Sequence, residues 1–153
     1  MAPIPETTLT PAESRNLQCL AGMMIPASSE FAVPGADDPI IFADMIKTMG
    51  RDVPDVRKAL GALSELSDRP FADLPEAHRE TIMASFLAGG GTALATLKRV
   101  ILQCYYRDDR VVVSLGLEPR PPFPKGHVLE QGDWTLLDPV KARPKMWRDV
   151  PPR

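Results

Sequence analysis

Few side chains in this sequence are of types that do chemistry. There are two histidines, two cysteines, two pairs of adjacent aspartates and one run of three glycines. His78 sits in the charged stretch Glu76-Ala77-His78-Arg79-Glu80, which reads as a solvated helical face. His127 lies in a proline-rich segment and could serve as a general base. No nucleophile is paired with it in the sequence, and neither histidine has a second one nearby to share a metal. Cys19 and Cys104 are far apart, each within an apolar periodic stretch, so two buried thiols are favoured over a disulfide. They form no zinc, redox or haem-attachment motif.

Asp37-Asp38 precedes Pro39 and reads as a helix cap, where the helix dipole favours a carboxylate. Asp108-Asp109 follows Tyr105-Tyr106-Arg107 and reads as turn chemistry. Neither pair has the other ligands of a calcium loop. Gly89-Gly90-Gly91 follows a helical pattern and lacks the Gly-Lys-Ser/Thr ending of a phosphate loop, so it reads as a hinge between helices. Met45 and Met49 fall on a core stripe. Met23 and Met24 remain open between core packing and a groove for a partner helix.

The elements that would position these groups are helical. Residues 1–9 form an N-terminal arm. Thr10-Pro11-Ala12-Glu13 is a helix start with a capping box, and Leu17, Leu20, Ala21 and Met24 share the face that follows it, up to Pro26. A second helix starts at Asp38-Pro39 and carries Ile41, Met45 and Met49, widened by Phe42 and Ile46, with Gly50 as its stop. A third runs from about Asp52 or Pro54 to Ser67 on Val56, Ala59, Leu60, Leu63 and Leu66. A fourth starts near Leu74-Pro75-Glu76 and carries Ile82, Met83, Phe86 and Leu87. A fifth starts near Thr92 with Leu94, Leu97, Val100, Ile101, Cys104 and Tyr105. The fold class is therefore all-α, a small bundle of about five helices over residues 10–116. The β-branched run in Arg110–Leu115 could add one short strand, or an extended segment that pairs with another chain.

Residues 117–153 differ. They hold 8 of the 17 prolines and both tryptophans, with seven basic against five acidic residues. Proline at this density favours extended backbone. Large apolar side chains cost about 1.5–3 kcal/mol each to leave in water, so this tail must lie on its own bundle or on another protein. The partner reading places Trp134 and Trp147 as anchors, Phe123 and Leu136 beside them, and Arg143 and Arg148 pairing with acids at the rim.

The chain as a whole has 153 residues, and Leu, Ile, Val and Phe make up 38 of them, enough for one core. A net charge of −2 excludes a generally basic nucleic-acid binder. No apolar run reaches the ~18–20 residues of a membrane span. The opening residues carry no arginine pair and no apolar core of a signal, from which a cytoplasmic location is expected, or a periplasmic one if a partner carries the export signal.

Three segments carry a family resemblance. They are Leu9-Thr10-Pro11-Ala12-Glu13, then Leu20-Ala21-Gly22-Met23-Met24-Ile25-Pro26-Ala27, then Pro34-Gly35-Ala36-Asp37. With Tyr105-Tyr106-Arg107-Asp108 and Leu115-Gly116 at the far end, the chain resembles the gluconate 2-dehydrogenase small-subunit family over roughly residues 9–116. The resemblance implies a non-catalytic subunit that stabilises a large flavoprotein subunit of the glucose–methanol–choline oxidoreductase family. FAD and the active-site base would lie on that partner, and this chain would hold no cofactor and no catalytic residue. Many members of the family carry a twin-arginine export signal, which this sequence does not show. A sugar, a sugar acid or an aromatic primary alcohol are all compatible substrates, because the pocket would be mostly on the other chain. The competing readings are a free-standing helical binding or regulatory protein and, last, a small enzyme using His127 and Tyr106.

Overall fold

The computed structural model describes residues 8–119, 130–146 and 148. The chain divides into two compact units, Met1–Pro119 and Arg120–Arg153. The first is built of helices α1 (Pro11–Met24), α2 (Pro39–Thr48), α3 (Val53–Ser64), α4 (Glu76–Ala88), α5 (Thr92–Tyr105) and α6 (Asp109–Ser114). Short 3-10 turns lie at Gly50–Asp52 and Phe71–Asp73. The second unit contains a 3-10 turn, Trp134–Leu137, and a four-residue helix, α7 (Asp138–Lys141). Among the described residues no helix is long and apolar enough to cross a membrane.

Local sequence sets most of the helix ends. Thr10 Oγ1 accepts from the Glu13 amide at 3.2 Å, and Glu13 Oε2 accepts from the Thr10 amide at 2.7 Å, which is the capping box. Pro11, Pro39 and Pro54 occupy first-turn positions, where a missing N–H costs nothing. Asp38 Oδ1 accepts from the amides of Ile40 and Ile41 at 2.9 and 3.4 Å, so it is the cap of α2. Gly50 follows α2 with φ +46°, a conformation that glycine adopts without strain.

The core sits where α3 packs along α5, with α2 against α5 and α1 against α3 and the Phe71–Asp73 turn. Val56, Leu60 and Leu63 of α3 and Leu97 and Ile101 of α5 are almost fully buried. All six apolar positions expected on α5 are buried. Phe71, fully buried, closes one end of the core. Its turn is held to α1 by Asn16, whose Oδ1 accepts from the Ala72 amide at 3.0 Å, and by Arg15, which forks onto Asp73 at 2.8 and 2.9 Å. Asn16 is the buried polar residue among the described residues of the unit, and this bond satisfies its side-chain oxygen.

Four expectations are corrected. The run Arg110–Leu115 is helical, not a strand. Asp108 caps it, accepting from the Arg110 amide at 3.0 Å, and Val111 enters the core at 2% exposure. The helix penalty of three valines is a few tenths of a kcal/mol each, below what a cap and a buried valine supply together. The C-terminal segment is also not extended throughout, since residues 134–141 form helical turns. Pro139 fits there because it occupies the first turn of α7. Cys104 is buried as expected and both thiols are free, but Cys19 is only half-buried. Leu66 falls beyond the end of α3 and is 44% exposed.

Candidate functional site

The residues singled out for partner binding lie in the second unit. Asp133 starts its turn: Oδ1 accepts from the Thr135 amide at 3.0 Å and from Thr135 Oγ1 at 2.6 Å. Those two bonds, the hydroxyl first, hold the Asp133 carboxyl below the usual aspartate range. The Leu136 amide reaches back to the Asp133 carbonyl at 3.4 Å, and α7 closes with Ala142 N on the Asp138 carbonyl at 3.0 Å. Lys141 Nζ meets Asp138 Oδ1 at 3.1 Å. A short polar frame therefore fixes the backbone of residues 133–142.

On that frame Trp134 is 60% and Leu136 75% exposed, and Leu137, Val140 and Met146 are exposed too. None of the described residues from 130 to 146 is buried. Arg143 and Arg148 are exposed. Phe123, Trp147 and His127 lie outside the described residues.

The other candidates of the sequence fall into structural roles. His78 is exposed on α4. Gly89–Gly91 joins α4 to α5, with φ of +69° and +93° at Gly90 and Gly91, the hinge expected of it. Asp38 caps α2 as expected, whereas Asp108, read from sequence as turn chemistry, caps α6, and the two carboxylates meet one arginine across the fold. Arg110 donates to Asp38 at 2.8 Å and to Asp108 at 2.9 Å, tying the start of α6 to the start of α2. The Arg110 guanidinium is the first cause holding both carboxyls below their usual range, and the two carboxylates raise the guanidinium in turn.

A second cluster surrounds Cys104. Its Sγ lies 3.6 Å from Thr48 Oγ1 and 3.6 Å from Arg107 Nη2, and Arg107 also binds Asp44. Burial pushes the Cys104 thiol up, which makes it a poor nucleophile. Tyr105 is raised by burial as well and meets Tyr106 edge-on, with ring centroids 5.2 Å apart. Among the described residues no three His, Cys, Asp or Glu side chains are grouped to hold a metal.

Two open grooves flank α4. One, about 450 Å³, runs past Lys58, Leu66, Phe86 and the glycine hinge. The other, about 570 Å³, lies between α1 and α4, with Met23 and Gly22 on one wall and Glu76, Glu80, Met83 and Leu87 on the other. Gly22 leaves room for Asp37: a Cβ there would stand 2.7 Å from Asp37 Cγ. Sequence reasoning kept Met23 open as a groove residue but did not find Met83 or the glutamates as its neighbours. Periodicity gives the face of one helix and not the face opposite it.

Comparison with protein-family models, curated proteins and solved structures returns no match.

Proposed function

We propose that this chain is the non-catalytic small subunit of a flavin-dependent dehydrogenase acting on CH–OH groups, partnered with a large flavoprotein of the glucose–methanol–choline type. The observation that carries the reading is the exposure of Trp134 and Leu136 on a backbone frame that is already ordered. Binding through a pre-formed turn loses less conformational entropy than binding through a coil. Tryptophan dominates many interfaces and leucine fills the space beside it. The order and spacing of the motifs at Leu9–Glu13, Leu20–Ala27 and Pro34–Asp37 support the identity of the partner. FAD and the acid–base chemistry belong to that partner in this reading.

The test is purification of the tagged full chain from its native source. A stoichiometric yellow partner is expected, and Trp134→Ala with Leu136→Ala should weaken its retention by about 30-fold, the equivalent of ~2 kcal/mol. His78→Ala and His127→Ala should leave turnover of the pair within a few-fold. A loss above ~100-fold at normal assembly and flavin content is the scale of a lost general acid or base, and would assign that histidine to the chemistry. A chain that purifies as a monodisperse monomer without a flavoprotein would favour the free-standing binding protein.

A further inference from the structure

We propose that the groove between α1 and α4, within the first unit, is a docking site for a basic amphipathic helix of a partner protein. Glu76, Glu80, Met83 and Leu87 recur at three- and four-residue spacing, so they form one stripe along α4. The stripe is acidic at its N-terminal end and apolar at its C-terminal end. At 1.5 Å per residue it spans about 16 Å, close to three turns of a docked helix. Met23 of α1 faces it across the groove, and two thioethers give an apolar floor that adapts to the side chains laid on it. Met83 and Leu87 are only partly buried, and Phe86 is the single buried residue of α4.

Charge decides the occupant. Neither Glu76 nor Glu80 has an ion-pair partner among the described residues. Arg79, between them in sequence, donates to Cys19 Sγ at 2.9 Å. Two carboxylates one turn apart repel each other, and a lysine or arginine on a docked helix relieves that repulsion. A second copy docking through the same face across a two-fold axis would set these glutamates against their own equivalents. Nucleic acid and anionic lipid are repelled in the same way. An apolar helix with lysines or arginines at one end satisfies both halves of the stripe.

The probe is a 14-residue synthetic helix with leucines at i, i+3 and i+7 and two lysines four apart, titrated into the full chain labelled at its methionine methyls. Met23 and Met83 methyl signals should shift saturably, while the buried Met45 and Met49 should not. Glu76→Gln with Glu80→Gln should weaken binding about 10-fold at low salt. Glu76→Lys with Glu80→Lys should reverse the preference, taking the same peptide with glutamates in place of lysines. That reversal separates recognition from misfolding, because a damaged fold would lose both peptides. Three results would overturn the proposal: no saturable shift up to about 1 mM peptide, equal binding of the lysine and glutamate peptides, or shifts at Met23 and Met83 that follow protein concentration without peptide. The last would give the face to a second copy.

Discussion

Helices α4 and α5 stand on either side of one glycine hinge and have nearly the same length, 13 and 14 residues. Yet α5 buries six side chains and α4 buries Phe86 alone. Pattern accounts for part of the difference: α5 carries its apolar stripe from Leu94 to Tyr105, whereas the large apolar residues of α4 lie only between Ile82 and Leu87. Neighbours account for the rest. The apolar face of α5 lies against both α3 and α2, whereas α4 meets α3 and leaves two open grooves beside it. A helix covered on two sides holds the fold together. A helix with open grooves beside it leaves part of its apolar surface uncovered.

The sharpest way to break this contrast is truncation on both helices. Leu97→Ala on α5 should cost about 2–5 kcal/mol, because the site is closed on all sides and cannot collapse. Met83→Ala on α4 should cost under ~1 kcal/mol, since much of that side chain already meets water. Urea melts followed by circular dichroism measure both. Equal costs would mean that α4 is as tightly packed as α5, and the grooves would lose their meaning.

A second prediction sharpens the groove wall. Gly22→Ala should destabilise by about 1–3 kcal/mol through its clash with Asp37. Asp37→Gly in the same chain should recover most of the loss, and a thermal-melt double-mutant cycle reads the coupling. Additive effects would place the strain elsewhere.

A third concerns the seam between α6 and α2. Asp38 and Asp108 titrate lower in the folded chain than in the unfolded one, with Arg110 as the first cause. A lowered folded pKa gives stability that is present above the unfolded value, near pH 4, and is lost as pH falls through the folded value. Arg110→Gln should therefore lower Tm at pH 7, and that difference should shrink as pH falls below the unfolded aspartate value and through the lowered folded ones. Arg110 is 41% exposed on its side chain, so solvent screening keeps the effect at pH 7 within ~1 kcal/mol. A gap that stays constant down to pH 2 would show that packing, not charge, is the cause.

The smallest effect belongs to the rim of the open helix. Glu80→Gln should change stability by less than ~0.5 kcal/mol, as a surface substitution without a partner. A larger loss would reveal a contact that holds α4 in place.

Much of the fold was legible because local signals agreed with one another. Thr10–Glu13, Asp38-Pro39 and the glycine run mark helix boundaries by chemistry that acts within four residues. The α5 face was read residue for residue, since a helix buried on a broad stripe follows its own periodicity. Arg110–Leu115 was misread because three valines suggest a strand when counted alone. Its cap at Asp108 is local, but its decisive contacts, Val111 in the core and Arg110 on Asp38, span some 70 residues of sequence.

The sequence by itself determined an all-α chain, the starts of its five longest helices, and the buried face of α5, because caps, prolines and helical period act over a few residues. Only the tertiary structure decided that Arg15 reaches Asp73, that Arg110 joins two helix starts, and that Met23 and Met83 share a groove with two unpaired glutamates. Those pairings depend on which helix lies beside which. That is set by the packing of whole faces against one another, and it leaves no mark at any single position of the chain.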